Sequence, residues 1–125
     1  MRGQAQTGGA AVVDVEQRRE GGWTVVRPVG DLDRFSSVAF QQEFADLAGT
    51  AVVVDLAEVP FVDSAGLGAL VAGVRTVRGA GGDVAVVGAR PALRRLFDMT
   101  GLDHFVRVLS TIDEVAAPAG LEGPA

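Results

Sequence analysis

The chain has 125 residues, 48% of them apolar, and a formal charge of −5 at pH 7. That size can close one hydrophobic core without staples, and the acidic balance argues against a nucleic-acid-binding face. There is no cysteine, all 11 basic residues are arginine, and His104 is the sole histidine, so disulfides, thiolate metal sites, cysteine nucleophiles, Walker and Schiff-base lysines and a two-histidine relay are excluded.

Residues 1–9 and 118–125 are rich in Gly, Pro and Ala and read as tails around a single domain at 10–117. No apolar run approaches the roughly 20 residues of a membrane span, and the N-terminus lacks the apolar segment of a signal peptide. The expectation is a cytoplasmic protein with no membrane span and no cofactor.

In chain order, Ala11 to Val15 and Trp23 to Val29 read as strands. Glu20-Gly21-Gly22 supplies the turn of a hairpin between them, and Pro28 marks an edge or an irregularity. Phe40, Phe44, Leu47 and Ala48 recur at helical spacing, with Ser36 or Ser37 as cap and Gly49 as stop. Val52 to Leu56 is an apolar run with one acid, Asp55, near its end, as expected of a strand covered on both faces or at least well inside a sheet. Leu67, Leu70, Val71, Val74 and Val77 form one face of the next helix, with Arg75 and Arg78 turned to water. Val84 to Val87 is a strand. Pro91 opens a helix with Leu93, Leu96 and Phe97 inward and Gly101 as its stop. Phe105 to Leu109 is a further strand, and Ser110 or Thr111 caps a last helix through Ile112 and Val115. The order β-β-α-β-α-β-α-β-α predicts an α/β fold: a mixed sheet opened by an N-terminal hairpin, its helices packed largely on one face.

Three segments carry chemistry. In Asp63-Ser64-Ala65-Gly66-Leu67-Gly68 a serine stands where a helix begins. One reading makes Ser64 an N-cap; the other makes it a phosphate acceptor, since free N–H groups and the helix dipole favour an anion there. Asp63 competes for the cap, orients the Ser64 hydroxyl during phosphoryl transfer, or holds the loop in shape. Gly66 and Gly68 relieve crowding against the sheet, leave room for a partner, or both. In Gly30-Asp31-Leu32-Asp33-Arg34-Phe35-Ser36 the carboxylates of Asp31 and Asp33 fit a turn and cap, and no further ligand stands nearby for metal or acid–base work. Arg90, Arg94 and Arg95 read as a solvated helix face, and His104 as a loop or edge residue.

These segments resemble, in order and approximate spacing, those of the anti-sigma factor antagonists of the STAS domain family, over roughly residues 10–117. Gly30-Asp31-Leu32-Asp33 is similar to the family's Gly-Glu-Leu-Asp turn, with Asp for Glu. Asp63-Ser64-Ala65-Gly66-Leu67-Gly68 is similar to its Asp-Ser-Ser-Gly-Leu-Gly motif, with Ala65 for the second serine. Arg95 to Leu102 is similar to its third helix and exit. The resemblance implies a STAS fold and a non-enzymatic switch: an anti-sigma factor with serine kinase activity binds the unmodified chain, releases its sigma factor and phosphorylates Ser64, and a phosphatase resets the system. It places Asp31, Asp33 and Asp63 beside the acceptor, and Ala65, Gly66 and Gly68 with Ser64 in the partner contact. Other readings are a STAS subunit of a stress-signalling or transporter complex and a small-molecule or nucleotide-binding module. A serine hydrolase is opposed by the missing Gly-x-Ser-x-Gly elbow and the lone His104.

Overall fold

The sheet grows from a hairpin whose turn is two glycines. Strands β1 (Asp14–Glu20) and β2 (Trp23–Val29) pair antiparallel, from Asp14 opposite Val29 to Glu20 opposite Trp23. Gly21 and Gly22 between them have φ of 59° and 88°, the left-handed geometry that a two-residue turn needs to match the strand twist. The structure, a computed structural model, describes residues 14–115. Ala11 to Val13, expected to begin the first strand, and both expected tails lie outside the described residues.

β2 pairs in parallel with β3 (Ala51–Asp55), β3 with β4 (Asp83–Val87), and β4 with β5 (Arg107–Leu109), so the sheet order is β1-β2-β3-β4-β5. The β2–β3 register covers Thr24 to Val26. Pro28 lies beyond it, opposite Val15 of β1, where its missing N–H removes nothing from the parallel ladder. The crossovers carry α1 (Ser37–Gln42), α2 (Ser64–Gly79), α3 (Pro91–Thr100) and α4 (Leu102–Phe105).

Alternation along the strands sorts the core. Val26, Val52, Val54, Val84 and Val86 pack with Phe40, Phe44, Leu70, Val74, Val77 and Phe97 from the helices. Trp23, Val25, Ala51, Val53, Ala85 and Val87 point the other way and pack with Leu109, Ile112 and Val115. Both faces of the central strands are therefore buried, which is why β3 and β4 are apolar except for one half-buried aspartate at an end of each, Asp55 and Asp83. The mixed sheet and its opening hairpin are as expected from the sequence.

Element ends differ in several places, the first strand, expected to end at Val15, running on to Glu20. The helix expected to run to Gly49 stops at Gln42 and is followed by a 3-10 turn at Ala45–Leu47. Phe40 and Phe44 are still fully buried, their rings edge to face at 5.2 Å. The helical spacing thus records burial faithfully and overruns the helix itself. Phe105, expected to open a strand, belongs to α4, which starts because Gly101 turns the chain with a φ of 79°. The helix expected after Ser110 is a 3-10 turn at Ile112–Glu114 within the described residues.

Candidate functional site

Two loops leave the C-terminal ends of β2 and β3 and are joined by a short parallel bridge between Leu32 and Val62. The Leu32 N–H donates to the Phe61 carbonyl at 2.9 Å, and the Asp63 N–H donates to the Leu32 carbonyl at 3.1 Å. Leu32 and Val62 point into the core. Side chains alternate along extended backbone, so Asp31 and Asp33 on one loop, and Phe61 and Asp63 on the other, turn toward the surface.

Asp63 is the N-cap of α2. Its Oδ1 accepts from the Gly66 N–H at 2.9 Å, and its carbonyl accepts from the Leu67 N–H at 2.9 Å. The cap is therefore Asp63, and Ser64 is the first helical residue. Ser64 is exposed, and its hydroxyl makes no hydrogen bond with any described residue. It sits at the positive end of a 16-residue helix, where added negative charge is locally favourable. The division of labour is testable. Asp63→Ala should lower stability by about 1 kcal/mol, the usual effect of losing a cap, whereas Asp63→Asn keeps an equivalent acceptor and should stay within a few tenths of a kcal/mol. Thermal melting of both variants checks it.

The other loop is organised by its own side chains. Asp33 Oδ1 accepts from the Phe35 N–H at 2.9 Å and from the Ser36 N–H at 3.2 Å. Ser36, 2% exposed, donates its hydroxyl to the Asp31 carbonyl at 2.7 Å and accepts from the Asp33 N–H at 3.1 Å. Ser36 therefore stands at the N-cap position of α1 without its side chain capping the helix. It braces the turn that carries Asp31 and Asp33 instead. The Gly30 N–H ties the turn's root to the Glu58 carbonyl at 3.0 Å.

The two motif glycines have different jobs. A Cβ on Gly66 would lie 2.1 Å from the Leu32 carbonyl oxygen, so only glycine lets the start of α2 abut the bridge. A Cβ on Gly68 would meet nothing within 4 Å. Gly68 follows Ser64 by one helical turn on the same face, is exposed, and keeps that surface flat. Half-buried Ala65 lies between them in the first turn of α2.

The remaining candidates stand apart from this site. Arg94 and Arg95 are exposed on α3, Arg90 donates to the Ala57 carbonyl at 3.3 Å, and exposed His104 lies 3.9 Å from Asp103. Among the described residues no three His, Asp or Glu side chains come together as a metal site. Sequence reasoning missed the bracing role of Ser36, although its place three residues after Asp33 is a turn signal. It also missed the exposure of Phe61, which follows from alternation once Val62 is placed inward.

The STAS domain family matches the chain over residues 14–115. An anti-sigma F factor antagonist from Paenibacillus polymyxa is 27% identical over 83% of this chain and 98% of its own length. An anti-sigma-B factor antagonist from Bacillus subtilis is 31% identical over 77% of this chain and 88% of its own. The crystal structure of an anti-sigma factor antagonist from Mycobacterium paratuberculosis superposes with a TM-score of 0.73 at 30% identity, covering 82% of this chain and 89% of that one. With this family match over residues 14–115 and these relatives, the chain belongs to the STAS domain family, among the anti-sigma factor antagonists.

Proposed function

We propose that this chain is the substrate arm of a partner switch, binding an anti-sigma factor that is also a serine kinase and being turned off by phosphorylation at Ser64. The observation that carries the reading is the exposed first residue of α2: Asp63 does the capping, which leaves the Ser64 hydroxyl available. The unmodified chain occupies the anti-sigma factor and frees its sigma factor in the cytoplasm. The kinase then breaks the bond between the γ-phosphorus of ATP and the bridging oxygen of ADP and forms a bond to Ser64 Oγ, while the hydroxyl proton leaves to a base on the kinase. The product carries about −1.5 to −2 additional charge. It lies beside Asp63, on a loop pair that also bears Asp31 and Asp33. That charge at a close contact weakens binding, and a separate phosphatase restores the hydroxyl.

Ala65 leaves Ser64 as the sole hydroxyl in the motif, so the acceptor is unambiguous. Gly66 fixes the helix start against Leu32, and flat Gly68 lets the kinase approach. Asp33 holds its turn in shape, and Asp31 contributes negative potential from the same turn. Among the described residues no helix is long and apolar enough to cross a membrane. The experiment is intact-mass analysis with peptide mapping after incubation with ATP and an anti-sigma kinase encoded in the same genome. One phosphate on Ser64, absent in Ser64→Ala, is the expected result. No phosphate from any such kinase proven active on another substrate overturns the proposal.

A further inference from the structure

The large apolar side chains most open to water among the described residues are Phe35 (66% exposed), Val38 (63%), Phe61 (52%) and Met99 (80%). A lone exposed apolar residue is ordinary, but three of these four lie within a few residues of the Leu32–Val62 bridge. Phe61 immediately precedes Val62, Phe35 closes the turn that follows Leu32, and Val38 lies in the first turn of α1. The bridge is parallel, so both chains leave it in the same direction. The turn bearing Phe35 and the helix start bearing Ser64 therefore emerge at the same end of the sheet.

Phe35 is held outward. Its N–H is fixed on Asp33 Oδ1, and the Arg34 guanidinium carbon lies 4.8 Å from the centre of its ring. The immediate surroundings of Ser64 are small or acidic: Asp63, Ala65 and Gly68. They offer little apolar area, and the acids oppose the approach of a nucleotide's phosphates. Holding the chain on the kinase needs binding free energy from groups away from the reacting atoms.

We infer that Phe35 and Phe61, with Arg34 stacked on Phe35, form the anchor by which the anti-sigma kinase is held over Ser64. The occupant is an apolar patch beside the kinase's phosphoryl-donor site, with a carboxylate facing Arg34. This inference rests on the reading of Ser64 as the acceptor. Aromatic and arginine side chains of this kind dominate interface energetics.

The test uses the full chain and each anti-sigma kinase encoded in the same genome, titrated with a non-transferring ATP analogue and then assayed with ATP. Phe35→Ala and Phe61→Ala are each expected to weaken binding by about 10-fold or more, as interface hot spots do. Their melting temperatures should match that of the unsubstituted chain. With ATP, the double variant should show its loss in KM and not in kcat, since an anchor acts equally before and during transfer. Ser64→Ala should keep full binding and lose transfer. If both Phe variants bind like the unsubstituted chain while that chain is phosphorylated on Ser64, the anchor is overturned and the proposed switch stands. If no kinase binds or modifies the unsubstituted chain, the switch fails and the anchor with it. Sedimentation of the chain alone provides the last outcome: a dimer lost in the double variant makes a second copy the occupant and overturns the inference.

Discussion

Ser64→Asp should bind the anti-sigma kinase at least about 10-fold more weakly than Ser64→Ala, a difference of about 1.4 kcal/mol, while folding at least as well. The two effects have opposite signs for one physical reason. Within the chain, a carboxylate at the first position of α2 meets the positive end of the helix and should stabilise it by about 0.3–1 kcal/mol. In the proposed interface the same carboxylate would stand beside Asp63 and raise the local charge against carboxylates or phosphates of the kinase, and like charges brought together at an interface are opposed by several kcal/mol. Ser64→Ala removes a hydroxyl that makes no hydrogen bond with any described residue, so its fold and its affinity should both survive. An aspartate carries less charge than a phosphoserine, and the phosphorylated chain should bind more weakly still. The check is calorimetric or fluorescence titration of the kinase with Ser64→Ala, Ser64→Asp and the phosphorylated chain, alongside thermal melts. Equal affinities for all three would sink the electrostatic account of the switch.

Gly66→Ala is the substitution expected to damage the site most without touching its chemistry. A Cβ there would sit 2.1 Å from the Leu32 carbonyl oxygen and 2.6 Å from its carbon. Both are backbone atoms of a bridged residue, so the clash cannot be relieved by turning a side chain. The start of α2 must lift off the bridge, which strains the Asp63 N–H to Leu32 carbonyl bond and leaves Leu32 and Val62 less well buried. Overpacking of this kind costs about 1–3 kcal/mol, occasionally more. Gly68→Ala is the internal control. Its Cβ would meet nothing within 4 Å, and it replaces a helix-interior glycine, so it should raise stability by as much as about 1 kcal/mol. Denaturant unfolding of the pair is the measurement. A Gly66→Ala variant as stable as the unsubstituted chain would show that the bridge does not fix the helix start.

Those two glycines also show how far the sequence alone reaches. In the string Asp63-Ser64-Ala65-Gly66-Leu67-Gly68 they look equivalent, because what separates them is a carbonyl supplied by Leu32, far away in sequence. The cap is ambiguous in the sequence because Ser64 and Asp63 are both good capping residues, and the bond from the Gly66 N–H to Asp63 Oδ1 decides it. The sheet was easier to see. Val52 to Val54 and Val84 to Val87 are apolar without a break because both faces are covered, and Gly21-Gly22 can hardly be anything but a tight turn. Helix ends were harder, since the spacing of Phe40 and Phe44 reports which way the rings face and not where the hydrogen-bond ladder stops. Asp31, Asp33, Asp63 and Ser64 were all legible as candidates, but their gathering depends on a bridge of a single residue pair, Leu32 with Val62, which leaves no periodic signature.

That bridge has a consequence for the thermodynamics of association. The loops that would meet a partner are already immobilised by backbone hydrogen bonds, by Asp33 and Ser36 on one side and by Asp63 on the other. Little conformational entropy remains to be lost when they are covered, which removes one of the larger unfavourable terms of complex formation. Association should accordingly proceed as nearly rigid-body docking, with backbone shifts here of no more than about 1 Å.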